Sequence, residues 1–389
     1  MMMTNNPIFI LTILFLNIVI AEWLNGKKFF NHLGTGLLVI IITAIVANFG
    51  IIPASSPATP VYENIFAYIA PISIFLMLLN INLNSLKKAG KPMLIMFLIG
   101  SFATMIGALI AMWAVSGKSA IGQFYFALGG MYTGTYIGGS TNFNAVALHY
   151  GVSQQGGLFS AATVADNIIT AIWVIATLTL PKILQKNFPR TQLLKIEGGS
   201  DLDTEKFMSD VESVRPFDIA FLLFMSLSVI LLASWLNKLI PQIPNILWLT
   251  TIALILAQIP SVNHLKGHKL LGLLGVYLFL AVIGAYCDVP ALMKDGKLAI
   301  ILLAFITILV TIHGLITFGI GALLKIDWDI VSIASQANVG GSTSAMALSR
   351  SLNRPDLTLP GILVGALGNA TGTYWGILIA ELMKSLNWF

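Results

Sequence analysis

Gly138-Gly139-Ser140-Thr141-Asn142 returns 202 residues later as Gly340-Gly341-Ser342-Thr343-Ser344. Two adjacent glycines followed by hydroxyl residues disfavour an uninterrupted helix, because glycine leaves the backbone free and exposed. Both copies nevertheless lie inside long apolar stretches. Non-helical backbone at membrane depth is tolerated only where it is buried in protein or lines a water-filled cavity. The duplicated break therefore predicts the substrate site of a secondary transporter.

The composition of the chain indicates a membrane protein. Of its 389 residues, 57% are hydrophobic and only 10% are charged, and the mean hydropathy is +0.88. A soluble domain carries about 25% charged residues, whereas apolar runs of about 20 residues have the length of a transmembrane helix. A β-barrel would alternate apolar and polar residues. The expected fold class is therefore an all-α polytopic membrane protein.

Twelve apolar segments follow one another along the chain. Two of them, 121–150 and 329–351, contain the glycine motifs and are predicted to be re-entrant helical hairpins. The other ten are predicted to be transmembrane helices, at 7–24, 33–52, 64–84, 92–115, 157–183, 216–237, 245–260, 268–287, 297–323 and 358–384. No basic residue precedes the first, so we expect a membrane helix there and not a cleaved signal peptide.

The placement of lysine and arginine predicts the orientation. With the loop that holds Lys27 and Lys28 in the cytoplasm, 16 basic residues lie inside and 5 outside. This split requires each broken segment to re-enter on the side from which it came. The expected topology is ten spans with both termini outside.

Five spans in each half give the halves opposite topologies, which predicts two inverted repeats. At an offset of 202 residues, Asn167 aligns with Asn369 and Trp173 with Trp375. The first repeat is expected at 1–184, a polar linker at 185–215 and the second repeat at 216–389. The two hairpins would enter from opposite sides, so that their tips meet near the midplane.

A broken helix exposes backbone groups that can bind ions at both ends of the break. The N-terminal end of a half-helix attracts an anion, while exposed carbonyls and hydroxyls suit a small hard cation. Both motifs and their polar neighbours are therefore predicted to bind substrate; Gln336 adds a polar side chain to the second tip. The predicted substrate-binding residues are Gly138, Gly139, Ser140, Thr141, Asn142, Asn144, Asn338, Gly340, Gly341, Ser342, Thr343 and Ser344. Close helix packing by small residues is the alternative interpretation.

Asp166 is the sharpest single candidate, about three turns into the helix that follows the first hairpin. An ionisable group at such depth is by default a functional candidate. We predict that it couples transport to a cation or a proton; a structurally paired carboxylate is the alternative. Asn167, Asn369, Thr371 and Thr373 are predicted to complete the ion site.

Enzymes and primary pumps lack support in the sequence. Aspartyl intramembrane proteolysis needs two deep carboxylates, whereas Asp166 alone is deep. Neither a His-Glu-x-x-His zinc motif nor a Gly-x-Ser-x-Gly elbow occurs. Without a nucleotide-binding Gly-x4-Gly-Lys-[Ser/Thr] loop, the energy should come from an ion gradient. A channel stays open as an alternative, because broken helices also build selectivity filters.

The segments 132–145 and 337–345, with Ala165-Asp166-Asn167, resemble those of a bacterial membrane-protein family catalogued as domain of unknown function 819. This resemblance spans nearly the whole chain, implies the bacterial inner membrane and names no substrate. More distantly, the paired hairpins resemble those of the sodium-coupled glutamate and 2-hydroxycarboxylate (citrate) symporters. That resemblance implies a dimer whose scaffold helices stay fixed while core helices and hairpins move as an elevator. Carried over, the scaffold is 7–63 and 216–263, and the core is 64–184 and 264–389.

The sequence thus predicts an ion-coupled secondary transporter, not an enzyme, for a small polar or anionic metabolite. Na+ is the expected coupling ion, with proton coupling through Asp166 as the nearest variant. A channel or a non-transporting membrane protein is the alternative. The expected partners are the solute, the lipid bilayer and a second copy of the chain; no nucleic acid, cofactor, metal site or catalytic residue is expected.

Overall fold

The computed structural model describes residues 6–27, 30, 34–54, 59–79, 81, 83–190, 214–287 and 296–386. Within these residues the backbone forms helices and short helical turns, and no strand. The predicted placement of both termini and most of the predicted linker fall outside the described residues. The chain is an all-helical polytopic membrane protein.

Thirteen main helices occupy the described part of the chain. They are α1 (Pro7–Asn25), α2 (Gly34–Asn48), α3 (Pro60–Leu78, with a π-helical turn), α4 (Lys91–Ala114), α5 (Tyr125–Gly138), α6 (Ser140–His149), α7 (Gly156–Asn187), α8 (Pro216–Leu239), α9 (Asn245–Ala257), α10 (His268–Ala285), α11 (Gly296–Leu323), α12 (Trp328–Ser351) and α13 (Thr358–Ser385).

Eight described helices are long and apolar enough to cross a membrane. Two more predicted spans, α2 and α9, are apolar but have only 15 and 13 residues. At a rise of 1.5 Å per residue they reach about 20 Å, less than the hydrocarbon thickness of about 30 Å. Most predicted boundaries lie within a few residues of the observed ones.

The largest shift of a helix start concerns α3, which was predicted at 64–84 and begins at Pro60. The Thr59 side chain accepts a hydrogen bond from the Tyr62 N–H, and Pro60 occupies the first turn. A hydroxyl cap followed by proline is a typical helix start, because the cap satisfies an N–H and proline needs none. The apolar pattern alone missed this polar start.

The described chain divides into two compact units that do not coincide with its two halves. Unit 1 comprises Met1–Asn80, Ala147–Asn167 and Val214–Leu302, and unit 2 comprises Ile81–Val146, Ile168–Ser213 and Leu303–Phe389. Each unit therefore draws on both predicted repeats. The predicted scaffold and core boundaries stay a prediction; α3 and α10, predicted in the core, belong to unit 1 by their contacts.

An aromatic cluster packs α3 against α10 in unit 1. Phe66 stacks on Tyr286 at a centroid distance of 5.7 Å and meets Phe279 edge-on at 5.5 Å. Phe159 of α7 also packs on Phe279, at 6.3 Å. Such pairs stabilise beyond the area they bury, and they hold these helices together.

In unit 2, α12 folds back at Gly341, where φ is 72° and ψ is −170°. An uninterrupted helix of its 24 residues would be about 36 Å long. Instead, the residues that flank its two ends are bonded, because Nη1 of Arg354 lies 2.8 Å from Oδ2 of Asp327. We call α12 the second fold-back, with limbs 328–340 and 342–351.

The α5–α6 pair folds back in the same way at Gly139, where φ is 89° and ψ is 178°. A Cβ at Gly376 would lie 2.6 Å from the carbonyl oxygen of Gly130 and 2.9 Å from Cγ2 of Val146. Those two residues are 16 positions apart and would be separated by about 24 Å in a straight helix. We call 125–149 the first fold-back.

Candidate functional site

A row of glycines lines one side of α13, at spacings of three or four residues. These are Gly361, Gly365, Gly368, Gly372 and Gly376. A Cβ at Gly361 would lie 2.8 Å from Ile333 of the second fold-back, and a Cβ at Gly365 would lie 2.6 Å from the Ser342 nitrogen. A Cβ at Gly372 would lie 2.7 Å from the Gly134 carbonyl oxygen of the first fold-back. The two fold-backs therefore lie along α13 from opposite ends.

The two tips meet about halfway along α13. A Cβ at Gly138 would overlap the Gly368 carbonyl oxygen, and a Cβ at Gly368 would overlap the Ile137 carbonyl oxygen. A Cβ at Gly341 would lie 4.0 Å from Cα of Gly139. Small residues permit this approach of one backbone to another, as in other helix contacts within membranes. The duplicated motif thus forms one site from two tips.

Positive φ with extended ψ is a region that only glycine occupies readily. Gly139 and Gly341 both adopt it. Each break starts a new half-helix of ten residues, beginning at Ser140 and at Ser342. The first N–H groups of a helix have no acceptor within the helix. Each tip therefore carries backbone donors outside the regular helical pattern; at the first tip the Asn142 N–H already donates to the Gly139 carbonyl at 3.0 Å.

The side chains of the two tips differ in exposure. Ser140 and Thr343 are exposed, whereas Thr141, Ser342 and Ser344 are half-buried. All five carry hydroxyl groups and none carries a charge. Any ionic ligand at this site would be held by dipoles and hydrogen bonds.

Asn142 joins the first tip to α13. Its side chain is fully buried; Nδ2 donates to the Gly368 carbonyl at 3.4 Å, and Oδ1 accepts from the Thr373 hydroxyl at 2.7 Å. Asn369 lies at the same break, with Oδ1 3.6 Å from the Cβ position of Gly139. Asn144 is also buried, with 5% exposure. The structure brings three predicted residues, Asn142, Thr373 and Asn369, to the first tip.

Asn338 turns away from the tips and bonds to α4. Its Nδ2 donates to the carbonyls of Phe97 and Ala334, both at 3.1 Å, and its Oδ1 accepts from Ser101 at 2.8 Å. Both amide hydrogens are therefore used within the protein. Asn338 was predicted to bind substrate, and in this conformation it fixes the second fold-back to α4.

His313 is the centre of a buried polar network in unit 2. Its Nδ1 lies 3.0 Å from the Gly100 carbonyl, so this nitrogen carries the proton of the neutral ring. Its Nε2 lies 2.9 Å from Oγ of Ser335, which accepts from Nε1 of Trp173 at 3.2 Å. The ring is thus satisfied as a neutral group, and its position indicates a structural role.

Gln336 has a less complete set of partners. Its side chain is fully buried and its Oε1 accepts from the Thr177 hydroxyl at 3.0 Å, whereas Nε2 finds no hydrogen-bond partner among the described residues. A Cβ at Gly340 would overlap this Nε2 and would lie 2.6 Å from Oγ of Ser344. The amide nitrogen therefore borders the second break.

The remaining predicted ion-site residues have other partners. Asp166 and Asn167 fall in unit 1, where Asn167 donates to the Thr163 carbonyl at 2.8 Å. Asp166 is half-buried and has partners of its own. The Thr371 hydroxyl bonds back to the Leu367 carbonyl of its own helix at 2.9 Å. The tips and Asp166 thus belong to different compact units.

Arg354 closes the base of the second fold-back. Its Nη1 bonds to Asp327 at 2.8 Å and to Asp329 at 3.0 Å, and Nη2 bonds to Asp356 at 2.9 Å. Burial disfavours the charged guanidinium, but hydrogen bonds to Asp356 and Asp327 outweigh it, so the pKa of Arg354 is raised above its ordinary value. The arginine stays charged and joins both limbs to the start of α13.

Two groups of residues at this site were not predicted from the sequence. The glycine row of α13 was visible as a three-or-four-residue spacing, which places small residues on one helix face. The role of Thr177, which orients Gln336, left no signal in the sequence because the two residues are 159 positions apart.

Comparison with known proteins is consistent with a membrane protein. The family model described as Protein of unknown function (DUF819) matches residues 9–386. A relative from Bacillus subtilis (strain 168), described as Uncharacterized membrane protein YjcL, is 29% identical over 373 residues. The match covers 91% of this chain and 90% of the relative.

Proposed function

We propose that this chain, which belongs to the DUF819 family, is an ion-coupled secondary transporter of a small polar or anionic metabolite. One observation carries the proposal: two fold-backs lie along α13 from opposite ends and meet at Gly139 and Gly341. Broken helices that meet inside a membrane are the typical binding site of secondary transporters. Irregular backbone at that depth needs a protein or water environment.

The packing of the fold-backs supports inverted repeats. The first limb of the first fold-back packs through Gly130 on Gly376 of α13. The equivalent limb of the second packs through Ser335 on Trp173 of α7. The offset of 202 residues relates Gly376 to position 174, beside Trp173. Each half thus lends its late helix to the other half's fold-back, as a two-fold relation requires.

We further propose that each fold-back is a re-entrant hairpin, with ten spans, both termini outside and the bacterial inner membrane as the location. The 16-to-5 distribution of basic residues supports this orientation. In this proposal the two compact units, each built from both halves, serve as the two bodies of an elevator mechanism, and the chain assembles as a homodimer.

Coupling to Na+ is proposed because oxygen ligands surround the first tip. Asn142, Asn369 and Thr373 offer amide and hydroxyl oxygens, which suit a hard cation. Asp166, which belongs to the other compact unit, is proposed separately as a residue that coupling requires, and proton coupling through that carboxylate is the nearest variant. We expect no cofactor and no enzymatic activity.

Uptake by the purified protein in liposomes tests the proposal. A labelled solute, selected as one that raises the thermal midpoint of the protein, should accumulate when a Na+ gradient is imposed. Asp166→Asn should abolish the dependence on the gradient and leave the thermal midpoint within a few degrees. Glu381→Gln, an exposed carboxylate on α13, is the matched control. Uptake that ignores both Na+ and proton gradients would remove the symporter proposal.

A further inference from the structure

The side-chain amide of Gln336 has a hydrogen-bond partner at its oxygen and none among the described residues at its nitrogen. Its side chain is 0% exposed and lies one turn before the second break. Oε1 accepts from Thr177 at 3.0 Å, and Nε2 has no hydrogen-bond partner among the described residues. A buried donor left without an acceptor costs about 1–3 kcal/mol. Such a group calls for an acceptor that the described residues do not supply.

The free nitrogen points to the first turn of the second half-helix. Nε2 of Gln336 and Oγ of Ser344 flank the same point, the Cβ position of Gly340. Ser344 is the third residue of the half-helix 342–351, whose first N–H groups have no intrahelical acceptor. Side-chain and backbone donors therefore lie side by side, where the helix dipole also favours negative charge.

We infer that Gln336 contacts the transported solute and that the second tip binds the carboxylate of a small metabolite. This inference rests on the proposed function and names the ligand class of the same site. Nε2 of Gln336 and the N–H groups of Ser342 to Ser344 donate to the carboxylate oxygens. Thr177 acts as a positioning residue, because its hydroxyl lies 3.0 Å from Oε1 and is itself held on α7, 2.9 Å from the Trp173 carbonyl oxygen. No charged side chain contributes at the tip, which suits a monoanion more than a phosphate dianion.

The two tips then divide the chemistry between them. The first tip gathers amide and hydroxyl oxygens around Asn142 and Asn369, and the second presents donors around Gln336. Both tips carry backbone donors, but only the second adds a buried side-chain donor without a partner among the described residues, which repels a cation and attracts an anion. Substrate carboxylate and coupling ion therefore bind at neighbouring breaks, about one helical turn apart along α13.

The experiment measures binding to the full-length protein in detergent micelles. The probes are the sodium salts of acetate, pyruvate, succinate, phosphate and sulfate, with sodium chloride as the baseline. We expect at least one carboxylate, but neither phosphate nor sulfate, to raise the thermal midpoint of the wild type. Gln336→Met keeps the shape and removes the donor, and should weaken carboxylate binding about 10- to 100-fold, the loss of one hydrogen bond to a charged group.

Two further variants test the orientation of the amide. Gln336→Glu replaces the donor by a carboxylate and should abolish binding. Thr177→Val frees Oε1 to rotate toward the break and should weaken binding by a smaller factor. Gln185→Met, an exposed glutamine on α7, is the matched control and should bind as the wild type does. Carboxylate binding retained by Gln336→Glu would mean that Oε1 faces the break, and would overturn the inference.

A separate readout covers a variant that does not fold. Maleimide labelling of Thr343→Cys, at the exposed edge of the tip, should slow when the stabilising carboxylate is added. Unchanged labelling would overturn a carboxylate site at this tip. Binding of uncharged or cationic solutes that is insensitive to Gln336→Met would also overturn the inference and leave the transporter proposal standing. Carboxylate binding without uptake in liposomes would contradict the transporter proposal and leave the carboxylate site standing.

Discussion

Substituting alanine for the break glycines tests whether the two tips adopt the geometry described. Gly341→Ala adds a methyl group into open space, because its nearest neighbour would be Cα of Gly139 at 4.0 Å. Gly139→Ala is equally free of overlap, with Oδ1 of Asn369 at 3.6 Å. The only cost is therefore the backbone, since φ is positive at both positions and ψ lies near 180°. The variants separate backbone strain from packing.

The expected loss follows from the cost of that backbone region. A non-glycine residue in this region costs about 1–3 kcal/mol. At roughly 1–2 °C per kcal/mol for a chain of 389 residues, the thermal midpoint should fall by about 1–6 °C. Gly319→Ala is the control, because this glycine lies inside α11 with an ordinary φ and nothing within 4 Å of its Cβ position. It should be neutral or stabilising by up to about 1 kcal/mol.

The assay is thermal unfolding of each purified variant in one detergent at a fixed scan rate, because membrane proteins often unfold irreversibly. Gly341→Ala and Gly139→Ala should unfold below the wild type, and Gly319→Ala should not. The double variant should deviate from additivity, since the two sites are in contact. If Gly341→Ala unfolds together with Gly319→Ala, the backbone at 341 is not held in the extended conformation, and the meeting of the two tips is wrong.

Three further predictions concern the contacts around the fold-backs. Arg354→Met should destabilise the protein by about 3–5 kcal/mol, because it leaves three carboxylates uncompensated. The deficit at pH 7 should shrink at pH 4.5, because burial raises the pKa of Asp329 and loss of the guanidinium raises it further. The exposed Arg350→Met should melt normally, and equal midpoints would refute the role of the cluster. Thr373→Val should cost about 1–3 kcal/mol in thermal unfolding by leaving Oδ1 of Asn142 without its donor, and no loss would contradict that bond. Gly372→Val should prevent folding or abolish uptake, because the side chain meets the first fold-back; a fully active variant would disprove the close approach.

The sequence was a good guide to the helices. Continuous apolar runs predicted the spans, and the glycine pairs predicted the breaks in the two remaining apolar segments, since both features depend on local chemistry. The start of α3 was harder to predict, because a hydroxyl cap and a proline begin the helix before the apolar run. Local sequence patterns were therefore sufficient to predict individual helices and their breaks.

The site was predicted only in part. Gln336 and Asn338 are two positions apart and equally polar, yet one borders the break and the other bonds to Phe97 and Ser101 of α4. Which of them faces the tip depends on the rotation of one helix against α4. That rotation is set by packing between segments far apart in sequence, and no local pattern encodes it.

The division into two compact units also could not be predicted from the sequence. A repeat read along the chain suggests two contiguous halves, but each compact unit takes segments from both. The aromatic contacts of Phe66 and Phe279 associate α3 with α10. Such pairings become visible only when the packed structure is known.

The glycine row of α13 has a consequence for how variation in this protein can be interpreted. A site built from backbone contacts has few side chains to delete, so alanine scanning of its polar residues would underestimate it. A saturation screen would instead outline the site as positions where every substitution for glycine is unfavourable: Gly138 and Gly139 in the first tip, Gly341 in the second, and Gly368 between them. The most informative residues of the site are those that have no side chain.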